Sequence, residues 1–251
     1  MFLPYGDTPN PIAPSYVNWL IIGLNITVFL AVSVPLMLAR VDLNDPLLLE
    51  YLRSYGSRGF VSTQEVLQHL SAYDLFVFRY GFRPAAPSLA SLLSCMFLHG
   101  GWMHLAGNML FLYIFGNNVE ARLGSLPYLL VYLGTGVLAT LFFAVFAPGS
   151  QIPLVGASGA ISGVLGCYFL WFPRNRVKTF IFLFPFLMTT VMLPARLVLG
   201  VYLVLDNLLP FIINGGAGAG VAHGAHIGGF LGGLGLAYGF DRWRGITRMR
   251  V

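Results

Sequence analysis

The sequence predicts an all-α membrane protein, a bundle of six transmembrane helices with a long, partly interfacial first loop. Three observations predict it. Of 251 residues, 57% are hydrophobic and 9% charged, with a mean hydropathy of +0.77. A soluble domain carries about 25% charged residues, so this chain cannot cover a water-facing surface in the usual way. A helix needs about 20 apolar residues to cross a bilayer. Six stretches approach that length: 17–39, 93–117, 125–147, 157–173, 194–213 and 222–240. The only long polar stretch, 40–92, holds five of the nine acidic residues.

The elements follow in order within a single domain, 1–251. Residues 1–16 form an N-terminal tail, and Pro11 and Pro14 precede the first span. No basic segment precedes that span, so it is expected to be retained as an anchor rather than cleaved as a signal. Within the external loop 40–92, Tyr51-Leu52 and Val66-Leu67 with Leu70 are amphipathic. They predict short helices lying at the interface rather than a separate soluble domain. The fourth span is short and stops at Pro173, before Arg174, Arg176 and Lys178. The segment 177–193 is expected to be an interfacial stretch feeding the fifth span, with a seventh helix as the alternative. A helix from 177 to 213 would be broken by Pro185 and Pro194.

Charge sets the orientation. The formal net charge of +5 gathers after Pro173 and in the tail 241–251. It reads as membrane orientation, with no nucleic-acid partner. Arg122, the cluster 174–178 and the tail lie on one side, whereas the short loops 148–156 and 214–221 carry no charge. Both termini are therefore expected in the cytoplasm, in a bacterial plasma membrane. Cys95 and Cys167 sit in apolar surroundings without paired spacing, so they read as small core residues.

That topology brings polar groups together. The second, fourth and sixth spans all start at the outer face. Their opening turns carry His99, His104 and Asn108, then Ser158, then His223 and His226. Polar groups at membrane depth are costly unless partnered. His104 and Asn108 are one turn apart on one face, and both can donate hydrogen bonds, as an oxyanion site requires. His226, Gly229 and Gly233 form one stripe, and Gly159, Gly163 and Gly166 lie beside Ser158. Glycine faces let helices approach closely, which would bring Ser158 Oγ within the ~3 Å reach of an imidazole base.

Plainer readings stand beside this one. A lone membrane serine is usually an interhelical hydrogen-bonder, and Ser162, one turn on, is a possible decoy. The two histidine pairs could bind metal, but no Cys, Asp or Glu completes a set, so no metal and no cofactor is expected. Asp206, in the fifth span, could be imagined as a third catalytic member. Its more ordinary reading is a hydrogen bond to a neighbouring helix or local water.

Three motifs occur in order: His99-Gly100-Gly101-Trp102-Met103-His104-Leu105-Ala106-Gly107-Asn108, Gly156-Ala157-Ser158-Gly159, and Ala225-His226-Ile227-Gly228-Gly229. With Glu120-Ala121-Arg122-Leu123-Gly124, they make the chain resemble the rhomboid intramembrane serine proteases over about 90–240. The resemblance implies a rhomboid-like bundle and a Ser158–His226 dyad without a carboxylate. It implies oxyanion donors in the Ser158 backbone N–H, His104 and Asn108. Gly156 would shape the loop before the nucleophile, and Glu120 and Arg122 would tie the long first loop to the helices. Gly159, Gly229 and Gly233 would support the helix packing. Tyr80-Gly81-Phe82-Arg83-Pro84 resembles the end of the family's loop.

Two departures are visible. Ser91-Leu92 stands where many members carry Trp-Arg. Ser162 stands where some members place an aromatic against the base, so support for the His226 ring must come from elsewhere. The implied activity is peptide-bond hydrolysis in single-span membrane protein substrates approaching from the lipid bilayer, with 214–221 as a mobile cap. A non-catalytic protein that binds client helices, or a small transporter, are the alternatives. No oligomeric state follows from the sequence.

Overall fold

A computed structural model describes residues 2–56, 63–183, 187–213 and 223–245. The expected cap, 214–221, and the last residues of the basic tail lie outside the described residues. In chain order the elements are β1 (Phe2–Thr8), α1 (Tyr16–Leu38), α2 (Leu47–Gly56), α3 (Thr63–His69), α4 (Ala72–Tyr80), α5 (Leu89–Phe97), α6 (Trp102–Leu123), α7 (Ser125–Phe146), α8 (Ser158–Trp171), β2 (Arg176–Leu183), β3 (Leu187–Pro194), α9 (Ala195–Ile213) and α10 (His223–Trp243).

Among the described residues, α1, α7 and α9 are long and apolar enough to cross a membrane, and α5 with α6 makes a fourth if counted as one bent span. In the apolar windows of α1, α7 and α9, only 28%, 28% and 17% of residues are buried inside the protein. Apolar helices with most of their surface uncovered require lipid as their solvent. The chain is thus a multi-pass integral membrane protein. Helix α8 has only 14 residues, and Gly159 through Tyr168 are all buried. A helix apolar on every side belongs inside the bundle, where α7 and α10 pack against it. Helix α10 is long enough, but its glycines and histidines lower its hydropathy.

The expected second span, 93–117, is not one straight helix. The chain turns through 88° between α5 and α6, at Leu98–Gly101, where Gly100-Gly101 interrupts the apolar run. Gly124, at φ +86°, is the whole connection from α6 to α7. A residue with a side chain would be strained in that left-handed conformation.

The all-α expectation fails at one end of the molecule. The stretch feeding the fifth span is not a seventh helix: residues 177–183 and 187–193 belong to two antiparallel strands, β2 and β3. The supposed N-terminal tail adds β1 alongside β2. Asn175, Val177 and Thr179 are buried while Arg174, Arg176 and Lys178 are exposed, a period of two that fits a strand and not a helix. Asp7 anchors the sheet beneath the C-terminal end of α8. Its Oδ2 accepts hydrogen bonds from Tyr168 Oη (2.5 Å) and Asn118 Nδ2 (2.9 Å).

Glu120 and Arg122 are structural in position, but not as expected. The Glu120 carboxylate accepts from the backbone N–H groups of Val17 (3.0 Å) and Asn18 (2.7 Å) and from Ser125 Oγ (2.7 Å). It therefore satisfies the free amides at the start of α1 rather than tying down the long loop. Arg122 pairs with Asp241 at 2.8 Å and lies over the Trp171 ring, joining α6, α8 and α10. The long loop is held elsewhere. Phe82 and Leu154 exchange backbone hydrogen bonds, and Arg83 contacts Glu50, Gln151 and the Phe78 ring. The segment Tyr80–Pro84 is thereby pinned to the loop that leads into α8.

Candidate active site

Helix α8 starts at Ser158 itself, so its first backbone N–H groups have no partner inside the helix. The approach to it turns at Gly156, whose φ is +123° and whose N–H donates to the Cys95 carbonyl at 2.8 Å. A Cβ at Gly156 would lie 2.7 Å from His104 Nε2 and 3.6 Å from Ser158 Oγ. Glycine therefore keeps open the space between the hydroxyl, the His104 ring and the head of α8.

The seam between α8 and α10 is made of main chain. A Cβ on Gly229 would fall 2.1 Å from the Gly159 carbonyl oxygen, and one on Gly233 would fall 1.9 Å from that of Gly163. No real Cβ tolerates such distances, so only glycine permits this approach. The stripe on α8 divides its task. Gly166 faces the Phe230 backbone on α10, while the missing side chains of Gly159 and Gly163 make room for Ala139 and Thr135 on α7.

At the open end of this seam His226 Nε2 lies 2.7 Å from Ser158 Oγ. The other ring nitrogen, Nδ1, lies 2.6 Å from Asn207 Oδ1 on α9. Asn207 is buried, and its Nδ2 donates to the Tyr202 carbonyl at 2.8 Å, inside a widened helical turn at Val204–Leu208. Ser162 does not compete for His226. Its Oγ lies 2.8 Å from Tyr202 Oη, and the Tyr202 ring sits 6.3 Å from the His226 ring at 32°. The aromatic absent at position 162 is replaced by Tyr202 from α9, which Ser162 holds in place.

A cavity of about 820 Å³ opens over this group, with Ser158, His226, His104, Asn108, Phe111 and Tyr202 in its wall. Asn108 is buried with no hydrogen-bond partner for Nδ2, a donor awaiting an acceptor in that space. The His99 ring is fully buried and packs edge-on against His104 at 5.2 Å. Asp206 is exposed, and the two His226 ring nitrogens meet Asn207 and Ser158 instead. Among the described residues no group of three or more His, Cys, Asp or Glu side chains could hold a metal ion.

The structure thus brings together Ser158, His226, His104 and Asn108 around one cavity, with Gly156 beside them and Gly159, Gly229 and Gly233 in the seam. Glu120 and Arg122 stand apart, among the helix ends. Asn207 and Tyr202 were missed by sequence reasoning. The available signal was an amide one residue from Asp206, in an apolar span, at the depth of His226.

The sequence matches known proteins. The Rhomboid domain family profile covers residues 86–243. Rhomboid protein 1 of the mitochondrion in Saccharomyces cerevisiae is 32% identical over 102 residues, 39% of this chain and 30% of that protein. Rhomboid protease GluP of Bacillus subtilis is 35% identical over 146 residues, 57% of this chain and 24% of its own length. The chloroplastic Rhomboid-like protein 11 of Arabidopsis thaliana is 41% identical over 78 residues, 31% of this chain and 28% of that protein. The chain therefore spans only about a quarter to a third of the length of these three relatives. With a Rhomboid domain over more than half its length, on a bundle of apolar helices, this chain belongs to the rhomboid family.

Proposed function

We propose that this protein is an intramembrane serine endopeptidase. It hydrolyses peptide bonds in or near the transmembrane segment of single-span membrane proteins. The observation that carries the reading is the 2.7 Å contact between His226 Nε2 and Ser158 Oγ, at the head of two helices that glycine alone lets close. Ser158 attacks the scissile carbonyl and His226 takes its proton, then returns it to the leaving amine. The tetrahedral oxyanion is held by the Ser158 N–H, Asn108 Nδ2 and the His104 ring. The free amides at the head of α8 and the unpartnered Asn108 donor support that role. Water then hydrolyses the acyl-enzyme.

The same reading gives six crossings, formed by α1, the bent α5–α6 pair, α7, α8, α9 and α10, as a single domain with 40–92 as an external loop. In it both termini lie in the cytoplasm of a bacterial plasma membrane, with the cavity opening outward, a reading supported by the basic residues near 122, 174–178 and 242–250. A substrate helix approaches from the lipid between α6 and α9, and small residues near the cut ease its unwinding.

The test is Ser158→Ala in reconstituted membranes with a single-span reporter substrate, together with labelling by a serine-directed fluorophosphonate. Cleavage and labelling should both disappear. Cleavage at the wild-type rate in Ser158→Ala would remove the nucleophile assignment. An active wild type that takes no label would count against a serine mechanism. A wild type that binds the substrate without cutting it would make the chain a client-binding member of the family.

A further inference from the structure

We infer that Asn207 is a positioning residue that fixes the reactive tautomer of His226. The inference rests on the Ser158–His226 reading and adds a third member to it. The argument is one of donors and acceptors. Two hydrogen bonds, one from each end, orient the Asn207 amide: 2.8 Å to the Tyr202 backbone carbonyl and 2.6 Å to His226 Nδ1. A backbone carbonyl can only accept, so the amide NH2 must face Tyr202. The amide oxygen is then left facing His226, and an amide oxygen can only accept. His226 must therefore carry its proton on Nδ1 and donate it to Asn207.

That leaves Nε2, 2.7 Å from Ser158 Oγ, with its lone pair toward the hydroxyl. A lone pair there can take the hydroxyl proton, whereas an Nε2–H could not. The Tyr202 carbonyl thus sets the amide, the amide sets the imidazole, and the imidazole is aimed at the serine. When Nε2 takes the serine proton, the imidazolium keeps its Nδ1–H on Asn207 Oδ1. The ring then stays in the same orientation to return the proton to the leaving amine.

The carbonyl is available because of the backbone. The turn at Val204–Leu208 is wider than an α-helical turn, and Asn207 reaches back five residues to Tyr202. Such local widenings of helices recur at functional sites. Asn207 is 1% exposed, so water has little room to substitute for either contact. A neutral amide serves here where other serine hydrolases place a carboxylate, and it avoids an uncompensated charge at membrane depth.

Three variants test this. Asn207→Ala removes both contacts, and kcat and the rate of fluorophosphonate labelling should fall about 10-fold to 100-fold with KM little changed. Asn207→Asp keeps an acceptor for Nδ1–H but loses the NH2 donor to Tyr202, and it should retain clearly more activity than Asn207→Ala. If the residue mattered only for holding the α9 turn, Asn207→Asp would fail as Asn207→Ala does, and that outcome overturns the proposal. Asn207→Leu fills the volume without an acceptor and should behave like alanine.

The independent readout is the nitrogen-15 NMR spectrum of histidine-labelled Ser158→Ala, with and without Asn207→Leu. With Asn207 present, His226 should be a single Nδ1–H tautomer. With leucine it should become a mixture or the other tautomer, and an unchanged spectrum refutes the inference. The failures separate cleanly. Persistent cleavage by Ser158→Ala would sink the proposed function. A dead Ser158→Ala beside a fully active Asn207→Ala would leave that function standing and remove only Asn207.

Discussion

Replacing Gly229 by alanine adds one methyl group far from any substrate, yet it should disable the site. The new Cβ would lie 2.1 Å from the Gly159 carbonyl oxygen, where ordinary contact begins near 3.4 Å, a shortfall of 1.3 Å. The obstacle is backbone at the head of α8, so it cannot rotate away, and α10 must move outward. Gly229 is one turn below His226, so the imidazole travels with it. The His226 Nε2–Ser158 Oγ contact is 2.7 Å and ceases to be a hydrogen bond beyond 3.5 Å, a tolerance of 0.8 Å. The displacement exceeds the tolerance. General-base catalysis is worth about 10²- to 10⁴-fold, so kcat should fall by at least the lower figure. Overpacking should also cost about 1–3 kcal/mol of stability. The assay is cleavage of a single-span reporter in liposomes, with a melting curve to confirm folding. Gly235→Ala is the control, because nothing lies within 4 Å of the Cβ it would add on the same helix. A folded Gly229→Ala with wild-type kcat would refute the reasoning, as would a Gly235→Ala that is equally impaired.

Further outcomes follow from other contacts. His104→Ala and Asn108→Ala should each lower kcat by about 10²-fold, as loss of an oxyanion donor does elsewhere; unchanged kcat in both would remove them from that role. Glu120→Ala leaves the Val17 and Asn18 amides unpaired, at about 1–3 kcal/mol for the buried Asn18 donor and less for the part-buried Val17. It should melt earlier in detergent than Glu120→Gln, which keeps one acceptor, and equal melting would deny Glu120 its capping role. Burial holds the Asp7 carboxyl above the usual carboxylate value, against the Tyr168, Asn175 and Asn118 hydrogen bonds that favour its anion. The folded state thus prefers the neutral acid, so its contribution is present at low pH and lost as pH rises through the raised value. Wild-type melting temperature should fall relative to Asp7→Asn over that rise, and parallel curves for the two proteins would show the idea wrong.

What the sequence revealed was depth, and what it concealed was helix phase and long-range pairing. Ser158, His226, His104 and Asn108 could be grouped because the sequence puts each near the start of an apolar stretch expected to open on one side, a property of order and length alone. Asn207 escaped because its neighbour Asp206 carries the charge and drew the attention. One residue is about 100° of rotation on a helix, and the widened turn at Val204–Leu208 resets the phase in a way no apolar period records. Glu120 was recognisable as structural, but a carboxylate that accepts from amides about a hundred residues away leaves no local pattern. The strands were legible in part. Val177, Thr179 and Ile181 alternate with Lys178 and Phe180, yet the surrounding aromatic run and Pro185 made an interfacial stretch without strands the easier reading.

The backbone seam between α8 and α10 has a thermal consequence. Side chains that interlock at an interface must give up torsional freedom, worth up to about 2 kcal/mol for the longest of them. The glycines at 229 and 233 meet carbonyl oxygens and have no torsions to surrender. Bringing Ser158 to His226 therefore freezes no rotamers at these contacts. The spacing of Ser158 Oγ and His226 Nε2 is held by main chain in contact with main chain, so on the proposed function cooling or warming the membrane should alter substrate access before it alters the alignment of the pair.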